Sequence, residues 1–271
     1  LENLVEERTT EVVHQKELVE RKNREIIDSI TYAKRIQRAI LPKPKRLRNK
    51  LPKAFILFKP KDIVAGDFYW LEEKGDQMLL AVADCTGHGV PGAMVSLICN
   101  NTLSRTVREF DFTEPGEILD MVRDILIQSF ASSHGMVQDG MDIALVSWNR
   151  QTNLLKFAGA HNDLHIMRNG EMIILRADRQ PIGDFKNMKP FTTSTFQLQE
   201  GDCLYMFSDG YQDQFGGPKG KKFKSRQLLE KIKSIQHLSM VDQKLKLNAI
   251  FQEWKGDLEQ VDDVCVLGVK I

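Results

Sequence analysis

Val5, Val12, Val19, Ile26, Ala33 and Ile40 recur every seven residues through an otherwise polar opening stretch, with Leu4, Leu18 and Ile36 beside the stripe. Neither Gly nor Pro interrupts that stretch before Pro42. An apolar period of seven over several heptads predicts a long helix that offers a seam to another helix. The second seam position is polar, with Arg8, Gln15 and Lys22. The pattern therefore also fits a solvated helix whose last turns dock on the domain that follows. Pro42 and Pro44, in "LPKPKRLRNKLPK", lack the amide a helix interior needs and end it. The chain accordingly divides into a helical or coiled-coil segment at 1–41, a basic, solvated connector at 42–53 and a folded domain at 54–271.

Within the domain the period changes to that of strands. "AFILFKP", "GDFYWLEE", "QMLLAVADC", "MDIALVSWN", "LLKFAGA", "DLHIMRNG", "EMIILRA", "FTTSTFQLQ", "GDCLYMFSDG" and "VCVLGVKI" are short, apolar and mostly bounded by turn residues. "RNGE" at 168–171 predicts a tight hairpin. Helical patterns cover about 90–108, 115–132, 224–236 and 240–255. Strands in runs with helices in blocks predict an α+β fold. Two stacked antiparallel β-sheets flanked by helices, preceded by the long N-terminal helix, is the expected architecture.

Charge and cysteine content narrow the classes. Lys+Arg 38 against Asp+Glu 37 leaves a net charge of +1 over 271 residues, which offers no nucleic-acid footprint. Cys85, Cys99, Cys203 and Cys265 are scattered, with no C-x-x-C pair, so a disulfide framework or structural zinc is not expected. A reducing, cytoplasmic setting follows, and no apolar run is long enough for a membrane span. The chain starts on Leu1, which reads as a fragment whose upstream sensor region, in the membrane or elsewhere, lies outside it.

Aspartates cluster at strand ends. Asp67 starts "GDFYW", Asp84 closes "LLAVAD", Asp142 opens "DIALVSW", Asp209 closes "CLYMFSD", and Asp262–Asp263 precedes "VCVLGV". Any one of these fits a turn residue bonding local amides. Together at one sheet edge they would repel unless a cation sat among them, and hard divalent ions take such oxygen ligands. The corner "VADCTGHGVPGA" at 82–93 carries Gly87, Gly89 and Gly92, then Pro91 where a helix restarts. His88 in that corner fits either a general acid or, preferably, a loop-packing residue.

Six ordered motifs resemble a known family. "AGDFYW", "VADCTGHGVPGAMVS", "MDIALVSW", "FAGAHNDLHIMRNGE", "FSDGYQDQ" and "VDDVCVLGV" resemble stage II sporulation protein E type serine phosphatases, of the metal-dependent protein phosphatase 2C-like superfamily. The resemblance covers about 54–271. It implies a β-sandwich holding two Mn²⁺ or Mg²⁺ ions, with a third, labile site. On that basis Asp84 bridges the metals, the Cys85 carbonyl binds the second, and Asp209 and Asp262 complete the first. Asp67 holds metal-bound waters and Asp142 belongs to the third position. Asp262 and Asp263 compete for one role, the first preferred as ligand and the second as its hydrogen-bonding neighbour. Asp84, Asp209 and Asp262 are thus the expected catalytic set, and His161 and Asn162 the expected substrate contacts. Ala65 stands where the family usually has Gly, and Asp163 where it usually has Pro.

The implied activity is hydrolysis of phosphoserine or phosphothreonine on a signalling protein by a metal-activated water, with an anti-sigma-factor antagonist the substrate by analogy. No covalent phosphoenzyme is required, so the Cys85 thiol should be dispensable. The N-terminal helix is expected to form a homodimer and relay an upstream signal. Two other classes compete: a weakly active or inactive partner-binding module of the same fold, and a nuclease or phosphodiesterase. The latter lacks histidine ligands and a basic surface.

Overall fold

The computed structural model describes residues 2–130 and 139–271. The helices are α1 (Glu2–Ile40), α2 (Pro44–Lys50), α3 (Gly89–Arg108), α4 (Pro115–Phe130), α5 (Gly210–Asp213), α6 (Ser225–Ile235) and α7 (Met240–Lys255). The strands are β1 (Ala54–Lys59), β2 (Phe68–Lys74), β3 (Gln77–Cys85), β4 (Met141–Asn149), β5 (Leu154–Ala160), β6 (Leu164–Arg168), β7 (Glu171–Leu175), β8 (Ser194–Gln197), β9 (Cys203–Phe207) and β12 (Val264–Lys270), with the two-residue strands β10 (Phe215–Gly216) and β11 (Lys221–Lys222) forming a small ribbon.

Two five-stranded antiparallel sheets stack face to face, one ordered β1-β12-β9-β6-β7 and the other β2-β3-β4-β5-β8. The period of two in each strand sorts side chains into layers. On β3, Met78, Leu80 and Val82 enter the layer between the sheets, whereas Leu79, Ala81, Ala83 and Cys85 face α3 and α4. On β12, Cys265, Leu267 and Val269 face inward between the sheets, while Val264 and Val266 pack with Leu228, Ile232, Leu247 and Phe251 of α6 and α7. Strands buried on both faces are why these runs are nearly continuously apolar. Full burial of one Leu or Val side chain contributes about 1.5–3 kcal/mol, so three such layers supply the bulk of the folding drive.

The hairpin expected at 168–171 joins β6 to β7, with Asn169 at φ 49° and Gly170 at φ 84°, the left-handed pair that a two-residue turn between twisted strands requires. The connector is not the solvated segment its composition predicts. Its middle folds as α2 with Pro44 in the first turn, and Leu47 and Leu51 are buried in the layer between the sheets. Basic residues dominate the composition there, and two leucines on one face are enough to dock it. α1 is one continuous helix. Val12, Val19, Ile26 and Ile40 of its seam are exposed, but its last turns dock through buried Gln37 and Leu41. No helix among the described residues is long and apolar enough to cross a membrane.

Candidate functional site

Strand parity decides where the acids point. Asp84 continues the Met78–Leu80–Val82 face of β3, and Asp142 continues the Ala144–Val146 face of β4. The β3–β4 register sets Asp84 directly opposite Asp142. Both therefore stand at the end of the layer between the sheets, where the apolar filling stops. Asp209 arrives after β9 and Asp262 just before β12, from the other sheet. Asp84, Asp142, Asp209 and Asp262 line one cleft of about 320 Å³, together with Cys85, Thr86, Gly87, His88 and Asp184.

The corner between β3 and α3 is shaped by backbone crossing. A Cβ on Gly66 would lie 2.3 Å from the Gly87 carbonyl oxygen, and one on Gly92 would lie 2.2 Å from the same atom. Gly87 itself adopts φ 83°. A side chain at Gly66 or Gly92 would push the segments apart and move the Cys85–Gly87 carbonyls that edge the cleft, and one at Gly87 would strain that backbone conformation. Thr86 fixes the other side. Its amide donates to the Gly140 carbonyl at 3.0 Å, and its Oγ1 accepts from the Gly140 amide at 3.1 Å.

The carboxylates crowd one another. Burial, then the charges of Asp209 and Asp262, push Asp84 up to about 8. Burial and Asp262 raise Asp209 as well. Burial raises Asp142, opposed by His161, whose Nδ1 lies 2.9 Å from Asp142 Oδ1. The Asp209 amide approaches Asp84 Oδ2 at 3.5 Å. The donor set is all oxygen, the chemistry that hard divalent cations prefer. Among the described residues no three His, Cys, Asp or Glu side chains are drawn together as a ready-made ion cage. Mg²⁺-type ions keep several waters and need only one or two carboxylates each, so the cleft fits hydrated ions bridged by a few oxygens.

Two expected ligands lie off the cleft. Asp67 is 2% exposed, accepts a hydrogen bond from Ser208 Oγ, and is raised well above the carboxylate range by burial and then by Asp84. It sits behind Asp84 as a supporting acid. Asp263 does not face the cleft: its Oδ1 accepts from the Lys61 amide at 2.7 Å and its Oδ2 from the Gly66 amide at 2.6 Å. Of the doublet, Asp262 is the cleft residue and Asp263 pins the β1–β2 loop. The Cys85 thiol turns to the helix layer, and burial and Cys99 push it up, so it is inert at neutral pH. His88 is held at the cleft's edge by Asp62 at 2.9 Å and Lys61 at 3.0 Å. Asp163 accepts from the Ala177 amide and from Arg176, replacing a proline's rigidity with two bonds.

Other participants carried weak signals. Gln37 pairs with the backbone of Ala65, its Oε1 accepting from the Ala65 amide at 3.1 Å while Nε2 donates to the Ala65 carbonyl and to Ser96 Oγ. Nothing local marks that glutamine. Ser208 bridges Asp67 and the Cys265 amide. Asp184 sits in a "GDF" tripeptide at 183–185 that repeats the one at 66–68, a signal missed because no strand follows it.

The model of the family "Stage II sporulation protein E (SpoIIE)" matches residues 74–271. The chain belongs to this family. The SiaA-PP2C domain of Pseudomonas aeruginosa is similar at 32% identity and TM-score 0.85, over 92% of this chain and 98% of that one. The phosphatase domain of SpoIIE from Bacillus subtilis, with a fragment of its regulatory domain, aligns at 19% identity and TM-score 0.65, over 81% of this chain and 63% of that one. RsbX in complex with magnesium aligns at 13% identity and TM-score 0.55, over 80% and 94%. No curated protein sequence matches the chain. The fold is that of the protein phosphatase 2C type, and this SpoIIE-family domain carries its cluster of acids at one end of the layer between its two sheets.

Proposed function

We propose that the chain is a metal-dependent protein serine/threonine phosphatase. The observation that carries this is the convergence of Asp84, Asp142, Asp209 and Asp262, from both sheets of a SpoIIE-family fold, on one cleft. Two Mn²⁺ or Mg²⁺ ions, with a third beside Asp142, would be held by these carboxylates and the Cys85 carbonyl. Bound there, divalent ions supply charge for the phosphate oxygens and make a water acidic enough to attack. Asp84 and Asp209 hold the charge that recruits them, Asp67 braces Asp84 from behind, and Asp263 keeps the loop carrying Asp67 in place. His161 hydrogen-bonds Asp142 of the cleft, and with Asn162 it lines the adjoining cavity from which a substrate would enter. The substrate is a phosphorylated signalling protein. α1 pairs with a second copy and relays an upstream signal.

The test is release of phosphate from a small aryl phosphate and from phosphoserine peptides, with and without Mn²⁺. Asp84→Asn and Asp209→Asn should each lower kcat by about a hundredfold or more, the scale of losing a key charge-stabilising group. Cys85→Ser should keep near-full activity. A folded Cys85→Ser protein without activity, or turnover independent of divalent ions, would overturn the proposal.

A further inference from the structure

Beside the acid cleft, beyond the His161–Asp142 pair, lies a second and larger cavity of about 630 Å³ between β6–β7 and α6. Its walls carry four cationic side chains, Arg176, Arg179, Arg226 and Lys233, against two carboxylates, Asp163 and Glu230. Both carboxylates are already neutralised, Asp163 by Arg176 at 2.6 Å and Glu230 by Arg226 at 3.0 Å. Arg179 and Lys233 have no ion-pair partner among the described residues and are left as free positive charge at the rim.

The floor points the same way. Ile174, Phe207 and Leu229 make it apolar. The Asn162 amide nitrogen and the Nδ1 of His165, a residue 5% exposed, are buried there without hydrogen-bond partners. A buried polar atom left unpaired costs about 1–3 kcal/mol, and a ligand that reached those atoms would recover part of it. α6 opens on the cavity with Ser225 and Arg226, and its first turn has neither an acid nor a side-chain cap. The positive end of its dipole is therefore unopposed.

We infer that this groove takes a carboxylate-rich polypeptide segment, the part of the phosphoprotein substrate next to the phosphorylated residue. The assignment of that segment to a substrate rests on the phosphatase proposal above. Electrostatics explain the need. The catalytic cleft is walled by five carboxylates, and ions held there would spend their charge on those acids and on the phosphate itself, so the unpaired cations of the adjoining groove are what attract the acidic flank of the substrate. The apolar floor adds contact area for the aliphatic parts of the same segment.

The experiment measures fluorescence anisotropy of a labelled, unphosphorylated Asp/Glu-rich peptide and of its Asn/Gln counterpart, without metal or turnover. The acidic peptide should bind at least about tenfold more tightly than the neutral one, and less tightly as salt rises. Arg179→Ala with Lys233→Ala should weaken it about tenfold with unchanged thermal melting, since both side chains are exposed. Lys219→Ala with Lys221→Ala, near the β10–β11 ribbon, should not. Equal binding of the two peptides, or wild-type affinity in the Arg179/Lys233 variant, overturns the groove. Manganese-dependent hydrolysis of an aryl phosphate by the wild-type chain is read separately. Peptide binding without hydrolysis removes the phosphatase proposal and with it the substrate assignment but leaves the acidic-peptide groove, and hydrolysis without peptide binding removes the groove alone.

Discussion

His165 lies stacked on Phe207, ring centroids 4.8 Å apart, and burial lowers its pKa from 6.5 to about 4. The folded protein thus keeps this ring neutral in a range where the unfolded chain would protonate it. The contribution to stability is whole above pH 6.5 and is lost as pH falls towards 4. At about 1.4 kcal/mol per unit, the loss is about 3 kcal/mol. The raised acids of the cleft run the other way, because the folded state holds their protons longer, so a raw pH profile mixes the two. Denaturant unfolding of wild type and His165→Phe at pH 7 and pH 4.5 separates them: the wild type should lose about 2 kcal/mol more than the variant. Parallel losses would show that His165 is not held neutral. Individual acids differ in how far sequence could place them. Asp84, Asp142 and Asp209 were legible because strand ends and parity are local properties. The division of labour between Asp262 and Asp263 was not, since it depends on where the Lys61 and Gly66 amides fall, some two hundred residues away in the chain.

Elements were legible wherever burial matched period. The ten longer strands and five longer helices follow their apolar patterns, and α2 escaped because charge outnumbers the buried Leu47 and, just past its end, Leu51. What no pattern reveals is how one element holds another. α1 reaches the site through Gln37, which bonds both backbone groups of Ala65, two residues before Asp67, and touches Ser96 on α3. That glutamine ties the long helix, the β1–β2 loop and the helix after the glycine-rich corner at one point. Gln37→Ala leaves the buried Ala65 amide unpaired and its carbonyl with Ser96 Oγ alone, at a cost of about 1–3 kcal/mol. The variant should unfold at lower denaturant, and amide hydrogen exchange at Ala65–Asp67 should rise above that of the β3–β4 core. Exchange unchanged in that loop would mean that α1 has no grip on the site.

At the scale of the molecule, α1 is too long for what it packs against. Thirty-nine helical residues extend about 58 Å at 1.5 Å each, and only the last turns meet the domain. An isolated helix in water is held together weakly without a tertiary partner, yet Val12 at 63%, Val19 at 57% and Ile26 at 55% stand exposed on one stripe. A seven-residue period imposes a seam that a second helix of the same sequence would cover. Arg8, Gln15 and Lys22 at the companion position would weaken such a seam, which fits the proposed relay better than a permanent clamp. Sedimentation of the chain should therefore give twice the monomer mass at micromolar concentration, and the 42–271 piece, if it folds, the monomer mass. Val19→Glu with Ile26→Glu should give a monomer without lowering the thermal midpoint of the sandwich, whose layers these side chains never touch. If the intact chain sediments as a monomer, the exposed stripe has some other partner, and a signal cannot reach Gln37 by the pairing of two copies.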